Sequence, residues 1–133
     1  MKILVLMKMV PDIVEELEVA ADGRSLDQEY LRFIVNERDE YALEQALLLK
    51  DRSQATVIVV APEAPEVGDV LFTARAKGAD RLIKVTGLPA GSGARATAAA
   101  LAATLPGVAG VLPADLVLSG CQSIDDLDGF VAP

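Results

Sequence analysis

Four short aliphatic segments place the strongest constraint on how this chain can fold. They occupy residues 3–7, 56–60, 81–85 and 115–119, and each is bounded by turn-forming or charged residues. Continuous runs of Val, Ile and Leu are typical of strands that are buried on both faces of a sheet. The stretches between the last three are long enough for one helix each, which favours parallel strands joined by right-handed crossovers.

Three helices are predicted between these strands. The first runs from Asn36 to about Lys50, with Asn36 as an N-cap whose side chain accepts a hydrogen bond from an early backbone N–H. The second starts at Pro65 and stops at Gly78, and the third is the Ala-rich stretch 94–105. The remaining segments predict a surface hairpin at residues 15–23 and an extended stretch at 30–35.

This alternation predicts one α/β domain over residues 1–133. Its architecture is a three-layer, open, mostly parallel twisted sheet with helices on both faces, of the Rossmann-like type. The composition agrees, because 52% of the residues are hydrophobic while only 4% are aromatic. Such a core is built from aliphatic strands and Ala-faced helices.

Charge and residue usage exclude several functions. The formal net charge of −8 argues against a nucleic-acid partner, since phosphate backbones require a field of Lys and Arg. With one cysteine and no histidine, the chain has no internal disulfide, no His-dependent catalytic triad and no ordinary zinc site.

The apolar N-terminus does not predict a signal peptide. Its aliphatic run ends at Lys8, and no small-residue cleavage site follows. No stretch approaches the roughly 20 apolar residues that span a bilayer. We therefore expect a cytoplasmic protein without membrane insertion.

A ligand site is expected beyond the carboxyl ends of the strands, near the point where the strand order reverses. The segments that reach this edge are residues 8–12, 60–63, 86–93 and 120–133. In the last of them, Gly120 and Gly129 permit the positive φ that anion-binding backbone nests use, and the Ser123 hydroxyl adds a donor.

Four segments together resemble the beta subunit of electron-transfer flavoproteins. They are Val5-Leu6-Met7-Lys8-Met9-Val10-Pro11-Asp12, the helix start Asn36-Glu37-Arg38-Asp39-Glu40, the element Thr73-Ala74-Arg75-Ala76-Lys77-Gly78-Ala79-Asp80-Arg81, and Gly120-Cys121-Gln122-Ser123-Ile124-Asp125-Asp126. The resemblance runs through nearly the whole chain but covers only the first half of a typical family member. It therefore implies a nucleotide-binding part that is truncated relative to the full-length family.

The resemblance implies an electron-carrier subunit rather than a catalyst. It binds AMP or FAD, pairs with a flavin-carrying alpha subunit, and relays electrons from flavin-dependent dehydrogenases. The cofactor-binding residues that it implies are Leu6, Asn36, Glu37, Arg38, Asp39, Val60, Gly120, Cys121, Gln122, Ser123, Ile124, Asp125, Asp126, Leu127, Asp128, Gly129, Phe130 and Val131.

The chain departs from the family pattern at four of these positions. Cys121 stands where the family has Lys, Phe130 where it has a Gln that reaches phosphate, Glu37 where it has Pro, and Leu127 where it has a polar residue. Two phosphate donors are thereby lost, and the neighbouring aspartates add negative charge.

Three features have alternative interpretations. Asp125, Asp126 and Asp128 could ligate Mg²⁺, although a solvated acidic turn is favoured, and no metal is predicted. Cys121 could be a redox thiol, although a packed small residue is favoured. The Gly-rich stretch 91–93 could bind phosphate at a helix N-terminus, but a flexible loop is favoured because no P-loop Lys follows.

Two other function classes remain as alternatives to the carrier. One is a stand-alone adenine-nucleotide sensor of the universal-stress type, although the chain lacks the phosphate loop of that group. The other is an ATP-pyrophosphatase-like enzyme, whose Ser-Gly-Gly-x-Asp-Ser loop is absent after the first strand.

Overall fold

The computed structural model describes residues 1–27, 29, 31–89, 91–127, 129 and 131. In chain order the elements are β1 (Lys2–Leu6), β2 (Met9–Pro11), β3 (Phe33–Val35), α1 (Glu37–Ser53), β4 (Thr56–Pro62), α2 (Val67–Lys77), β5 (Arg81–Val85), α3 (Ala94–Thr104), a 3₁₀ turn (Leu105–Gly107) and β6 (Leu116–Ser119). Among these residues, no helix combines the length and the apolar character that a membrane crossing requires.

Four strands form one parallel sheet in the order β5-β4-β1-β6. The chain builds outward from β1 through β4 to β5, and then returns across the sheet to place β6 on the other side of β1. The strand order therefore reverses at the β1–β6 boundary. In sheets of this kind a crevice opens at that boundary, beyond the carboxyl ends of the strands.

Helices cover both faces of this sheet. Successive side chains of a strand point to opposite faces, and β1 shows this clearly. Ile3 and Val5 belong to the core cluster on the side of α1 and α2, together with Leu43. Leu4 belongs to the second cluster, together with Leu101 of α3. The three-layer α/β architecture expected from the sequence is thereby confirmed.

Two helix boundaries differ from the sequence prediction by two residues or more, and α3 ends one residue early, at Thr104. Helix α1 continues to Ser53, beyond the expected end at about Lys50, and Gln54 closes it in the left-handed conformation with φ of 53°. Helix α2 begins at Val67 rather than at Pro65, because Glu66 takes a φ of 62° that no helical residue adopts.

Among the described residues, the predicted hairpin after β2 forms one antiparallel bridge, between Val19 and Leu26. The chain reverses at Gly23, whose φ is 66°. Its polar and apolar side chains are mostly exposed, with Val19 67% exposed, so no buried face extends the pairing into strands. Of the predicted extended stretch 30–35, Phe33–Val35 forms β3 and pairs with β2; Tyr30 lies outside the described residues.

Candidate functional site

A cleft lies at the carboxyl edge of the sheet, where β1 and β6 end side by side. The space inside it, including the part open to solvent, is about 380 Å³. The residues that line it are Leu6, Met7, Lys8, Asn36, Asp39, Pro62, Leu101, Ser119, Gly120, Gln122, Ser123, Asp126, Gly129 and Val131.

Asp39, in the first turn of α1, joins the ends of β1 and β6. Its side chain is buried, and its two carboxylate oxygens accept the backbone N–H of Lys8 at 3.0 Å and of Gly120 at 2.7 Å. Burial raises the pKa of the Asp39 carboxyl above its usual value, while these hydrogen bonds and one from Asn36 act in the opposite direction. Asp39 therefore fixes the spacing of the two strand ends on either side of the cleft.

Gly120 permits the close approach of β6 to α1. A Cβ at this position would lie 2.6 Å from Asp39 Oδ1 and 2.7 Å from the Cβ of Arg38. Gly120 does not adopt the positive φ that the sequence suggested, whereas Gly129 does, with φ of 68°. Gly120 is thus required by the close contact between the main chain and α1, and Gly129 by the turn.

Asn36 does not cap α1 with its side chain, and this expectation was wrong. Its Nδ2 donates instead to the carbonyl of Gln122 at 2.9 Å, while its own backbone carbonyl accepts the N–H of Asp39. Asn36 is buried, so its side-chain amide needs a hydrogen-bond partner. The fold supplies the carbonyl of Gln122, which lies 86 positions away in sequence. It ties the loop after β6 to the start of α1.

Lys8 directs its ammonium at the same loop. Its Nζ lies 3.0 Å from Ser123 Oγ and 2.8 Å from Asp125 Oδ1, and the Ser123 hydroxyl donates to that same carboxylate oxygen at 2.6 Å. Lys8 was not among the expected binding residues. The available signal was its position, since it follows directly on β1 at the ligand-binding edge of the sheet.

Internal hydrogen bonds close the loop that follows β6. Ser123 and Asp126 exchange two backbone hydrogen bonds of 3.1 Å, and the Gln122 side-chain amide donates to the carbonyl of Leu127 at 2.8 Å. A Cβ at Gly129 would collide with the carbonyl oxygen of Cys121. The loop is therefore a compact unit with its own fixed conformation.

The structure brings half of the expected binding residues to this cleft. They are Leu6, Asn36, Asp39, Gly120, Gln122, Ser123, Asp126, Gly129 and Val131. Val60 is fully buried inside β4, where its carbonyl accepts the N–H of Met7, and β4 contributes Pro62 to the cleft instead.

The other expected residues lie around the cleft rather than in it. Asp125 lines an adjoining cleft of about 940 Å³ including solvent space. A groove beside β2 and β3, which shares Asn36, Gln122 and Ser123 with the cleft, contains Glu37, Arg38, Ile124 and Leu127. Asp128 and Phe130 lie outside the described residues.

Cys121 is exposed, so the expectation of a packed small residue was wrong. Its thiol accepts a hydrogen bond from the Arg38 guanidinium at 3.4 Å. It is exposed because the chain leaves the sheet at Gly120 and turns outward into the loop.

No metal-binding cluster of three or more His, Cys, Asp or Glu side chains occurs within the described part of the chain. Asp125 is instead engaged by Lys8, and the Asp126 backbone pairs with Ser123. Asp125 and Asp126 therefore take part in the contacts that hold the loop after β6.

Comparison with known proteins matches residues 25–133 to the family model described as the electron transfer flavoprotein domain. The chain is 35% identical over 134 aligned positions to the electron transfer flavoprotein subunit beta of Clostridium acetobutylicum, with 100% of the chain and 50% of the relative covered. It is 37% identical over 127 positions to the caffeyl-CoA reductase-Etf complex subunit CarD of Acetobacterium woodii, which covers 94% of the chain and 47% of the relative. It is also 34% identical over 130 positions to protein FixA of Azotobacter vinelandii, covering 97% and 46%. The chain thus spans about half the length of these curated relatives.

Proposed function

The chain belongs to the electron transfer flavoprotein family, and we propose that it acts as the nucleotide-binding part of a beta subunit. In this role it binds an adenine nucleotide, AMP or FAD, in the cleft between β1 and β6. It pairs with a flavin-carrying alpha subunit and relays electrons from flavin-dependent dehydrogenases, without catalysing bond-making steps itself.

The cleft at the reversal of strand order is the observation that carries this proposal. Its wall is apolar at Leu6, Leu101 and Val131, which suits the faces of an adenine ring. The same cleft is lined by Lys8 and Ser123, whose ammonium and hydroxyl suit a phosphate. Residues of both kinds within one cleft fit an adenine nucleotide.

The protein's own residues would hold and orient this ligand. Asp39 keeps the ends of β1 and β6 at a fixed spacing, and Asn36 keeps the loop against α1. AMP bound here would act structurally, whereas FAD would add a redox centre. All of the cofactor-binding residues implied by the family stay predictions, including Val60, Cys121, Asp128 and Phe130.

Two exposed apolar surfaces support pairing with an alpha subunit. One is the groove beside β2 and β3, where Ile13, Ile34, Ile124 and Leu127 are 58%, 40%, 51% and 67% exposed. The other is β6, which within the described residues pairs only with β1. Exposed aliphatic patches and unpaired strand edges are typical of surfaces that another protein segment covers.

The alternative, a stand-alone sensor of the universal-stress type, is disfavoured. The matched family model is that of the electron transfer flavoprotein domain, and the relative from Clostridium acetobutylicum is named an electron transfer flavoprotein subunit beta. A cytoplasmic location stays a prediction from the sequence.

The decisive experiment identifies the nucleotide that the purified protein carries. The protein is denatured, and the released material is analysed by absorbance and mass spectrometry. We expect AMP or FAD, and the identity of the nucleotide distinguishes the two kinds of carrier. Released ATP would favour the sensor instead. No released nucleotide, together with no binding of added AMP or FAD, would contradict the proposed function.

A further inference from the structure

We propose that Lys8 is the residue that selects a phosphate-bearing ligand in this cleft, and that the phosphate competes with Asp125 for its ammonium. This inference rests on the proposed function and names the residue that discriminates a nucleotide from a nucleoside. It follows from the position of Lys8, from the charges around it, and from the donors that converge on Asp125.

Lys8 lies where two clefts adjoin. It lines both the cleft between β1 and β6 and the neighbouring cleft that Asp125 lines. Of the described residues that line either cleft, Lys8 is the only Lys or Arg. A phosphate in either cleft that gains an ion pair from a lining side chain therefore gains it from Lys8.

The acidic residues near Lys8 would repel a phosphate, so its binding depends on this cation. Asp39 is satisfied by backbone N–H groups, and Glu63 pairs with Lys84 at 3.2 Å. Asp125 pairs with Lys8 itself. A phosphate that approaches Lys8 would thus meet a carboxylate already in place, and two anions close together repel each other.

The geometry around Asp125 resembles an anion site. Lys8 Nζ at 2.8 Å and Ser123 Oγ at 2.6 Å both reach the same oxygen, Asp125 Oδ1. Two converging donors, one of them charged, form the arrangement that binds a phosphate oxygen. Ser123 is buried and Lys8 is only 21% exposed, whereas the Asp125 side chain is 38% exposed. The donors are held in place, and the carboxylate is the member of the group that can move aside into solvent.

Lys8 would also account for a phosphate site that lacks the family's usual donors. Cys121 and Phe130 replace the Lys and Gln of the family pattern, so this loop cannot supply their charge and amide. Lys8 reaches the same loop from the opposite side, at the end of β1. The cation therefore comes from a strand end rather than from the loop.

The test compares the affinity for AMP with that for adenosine, measured by calorimetry on the full chain. The ratio of the two affinities isolates the phosphate from the adenine and ribose. We expect K8M to lower this ratio by about tenfold, the loss of one charge-assisted hydrogen bond. We expect D125N to raise it by about threefold, because the competing charge is removed while the shape is kept. In the wild-type protein the ratio should fall as salt is raised.

The matched control is K77M, which removes an exposed lysine at the end of α2, near the opposite edge of the sheet. This variant should leave the ratio at its wild-type value. Should K8M fail to fold, as judged by circular dichroism, D125N and the salt dependence of the wild type still decide the matter.

The outcomes separate the inference from the proposed function. If adenosine and AMP both bind, but neither K8M nor D125N changes the ratio, the selection by Lys8 is wrong and the nucleotide site stands. If D125N lowers the ratio, Asp125 holds Lys8 in place for the phosphate and the competition is wrong. If the wild-type protein binds neither compound, the proposed function fails, and this inference fails with it.

Discussion

Asp39 shows how one buried side chain can connect parts of the chain that are far apart in sequence. It accepts backbone hydrogen bonds from Lys8 and Gly120, which lie 31 and 81 positions away. A carboxylate suits this task better than an amide, because each of its two oxygens can accept an N–H. The cost of burying the charge is expressed in the raised pKa of Asp39. The two hydrogen bonds that Asp39 accepts from Lys8 and Gly120 therefore stabilise the shape of the cleft.

Gly120→Ala should destabilise the protein by about 1–3 kcal/mol, since the new methyl group would overlap Asp39 and Arg38 and force a backbone shift. The change in the free energy of unfolding can be measured by urea denaturation.

Gly68→Ala is the matched control for this substitution. Gly68 lies in the first turn of α2, and an added Cβ there meets no atom within 4 Å. This variant should be stabilised by up to about 1 kcal/mol, since Ala favours the helix. Equal effects at the two glycines would contradict the close packing of β6 against α1.

For individual residues, the sequence predicted which of them lie at the site better than it predicted the contacts that they make. Leu6, Gly120 and Ser123 were expected at the site from the resemblance to the family, and all three line the cleft. The contacts of Asn36 and Lys8 could not be predicted, since both partners lie in a loop more than 80 positions away. Sequence patterns indicate local periodicity and turns. They do not indicate which residues, distant in sequence, become hydrogen-bond partners in the fold.

At the scale of elements, burial decides which predictions succeed. The segments predicted as strands at 56–60, 81–85 and 115–119 form β4, β5 and β6 with small differences at their ends. Most side chains of β4 are buried, as its aliphatic pattern anticipates, whereas in β6 Leu116 and Leu118 are partly buried and Val117 is exposed. The hairpin after β2 alternates polar and apolar residues that are mostly exposed, and among the described residues it forms a single bridge.

A polar contact at the other edge of the sheet joins α1, β4 and the turn before β5. Asp80 accepts the Lys50 ammonium at 2.6 Å and the backbone N–H of Val57 at 2.8 Å. The hydrogen bond from Lys50 is the first cause that holds the pKa of Asp80 below its ordinary value of 3.8. The Asp80 side chain is 37% exposed, so solvent screens much of this ion pair.

We expect Asp80→Asn to cost about 0.5–1 kcal/mol of stability at neutral pH. Because the pKa of Asp80 is lower in the folded state, the unfolded chain binds the proton more tightly. The stabilisation is therefore fully present above the unfolded value of 3.8 and is lost as the pH falls through the lower folded value. Urea denaturation at a series of pH values should show the difference between wild type and variant shrinking at acidic pH.

Asp51→Asn serves as the control for this pH dependence, since it removes the same charge from an exposed position of α1. A difference for Asp80→Asn that persists unchanged at the lowest pH would contradict the ion-pair origin of the effect.

At the scale of the whole molecule, the sheet ends on a strand with an open edge. Among the described residues β6 pairs with β1 alone, and Val117 of β6 is 48% exposed. An unpaired strand edge with an aliphatic side chain can recruit another strand. The protein by itself should therefore self-associate as its concentration rises.

Val117→Lys should reduce this self-association, because a charged side chain disfavours strand addition. Sedimentation velocity over a range of concentrations measures the effect. Val14→Lys, which changes a 91% exposed residue outside the four-stranded sheet, is the control. Equal reduction by both substitutions would attribute the association to net charge rather than to the edge.

The placement of β1 beside β6 also has a consequence for biosynthesis. A nascent chain that has emerged through residue 107 already contains β1, β4, β5 and all three helices, but not the strand that completes the cleft. The pairing of Ile3 with Leu116 spans almost the whole described chain, and contacts so remote in sequence form late and slowly. Binding of a nucleotide between these strands would therefore stabilise only chains in which β6 has already paired with β1.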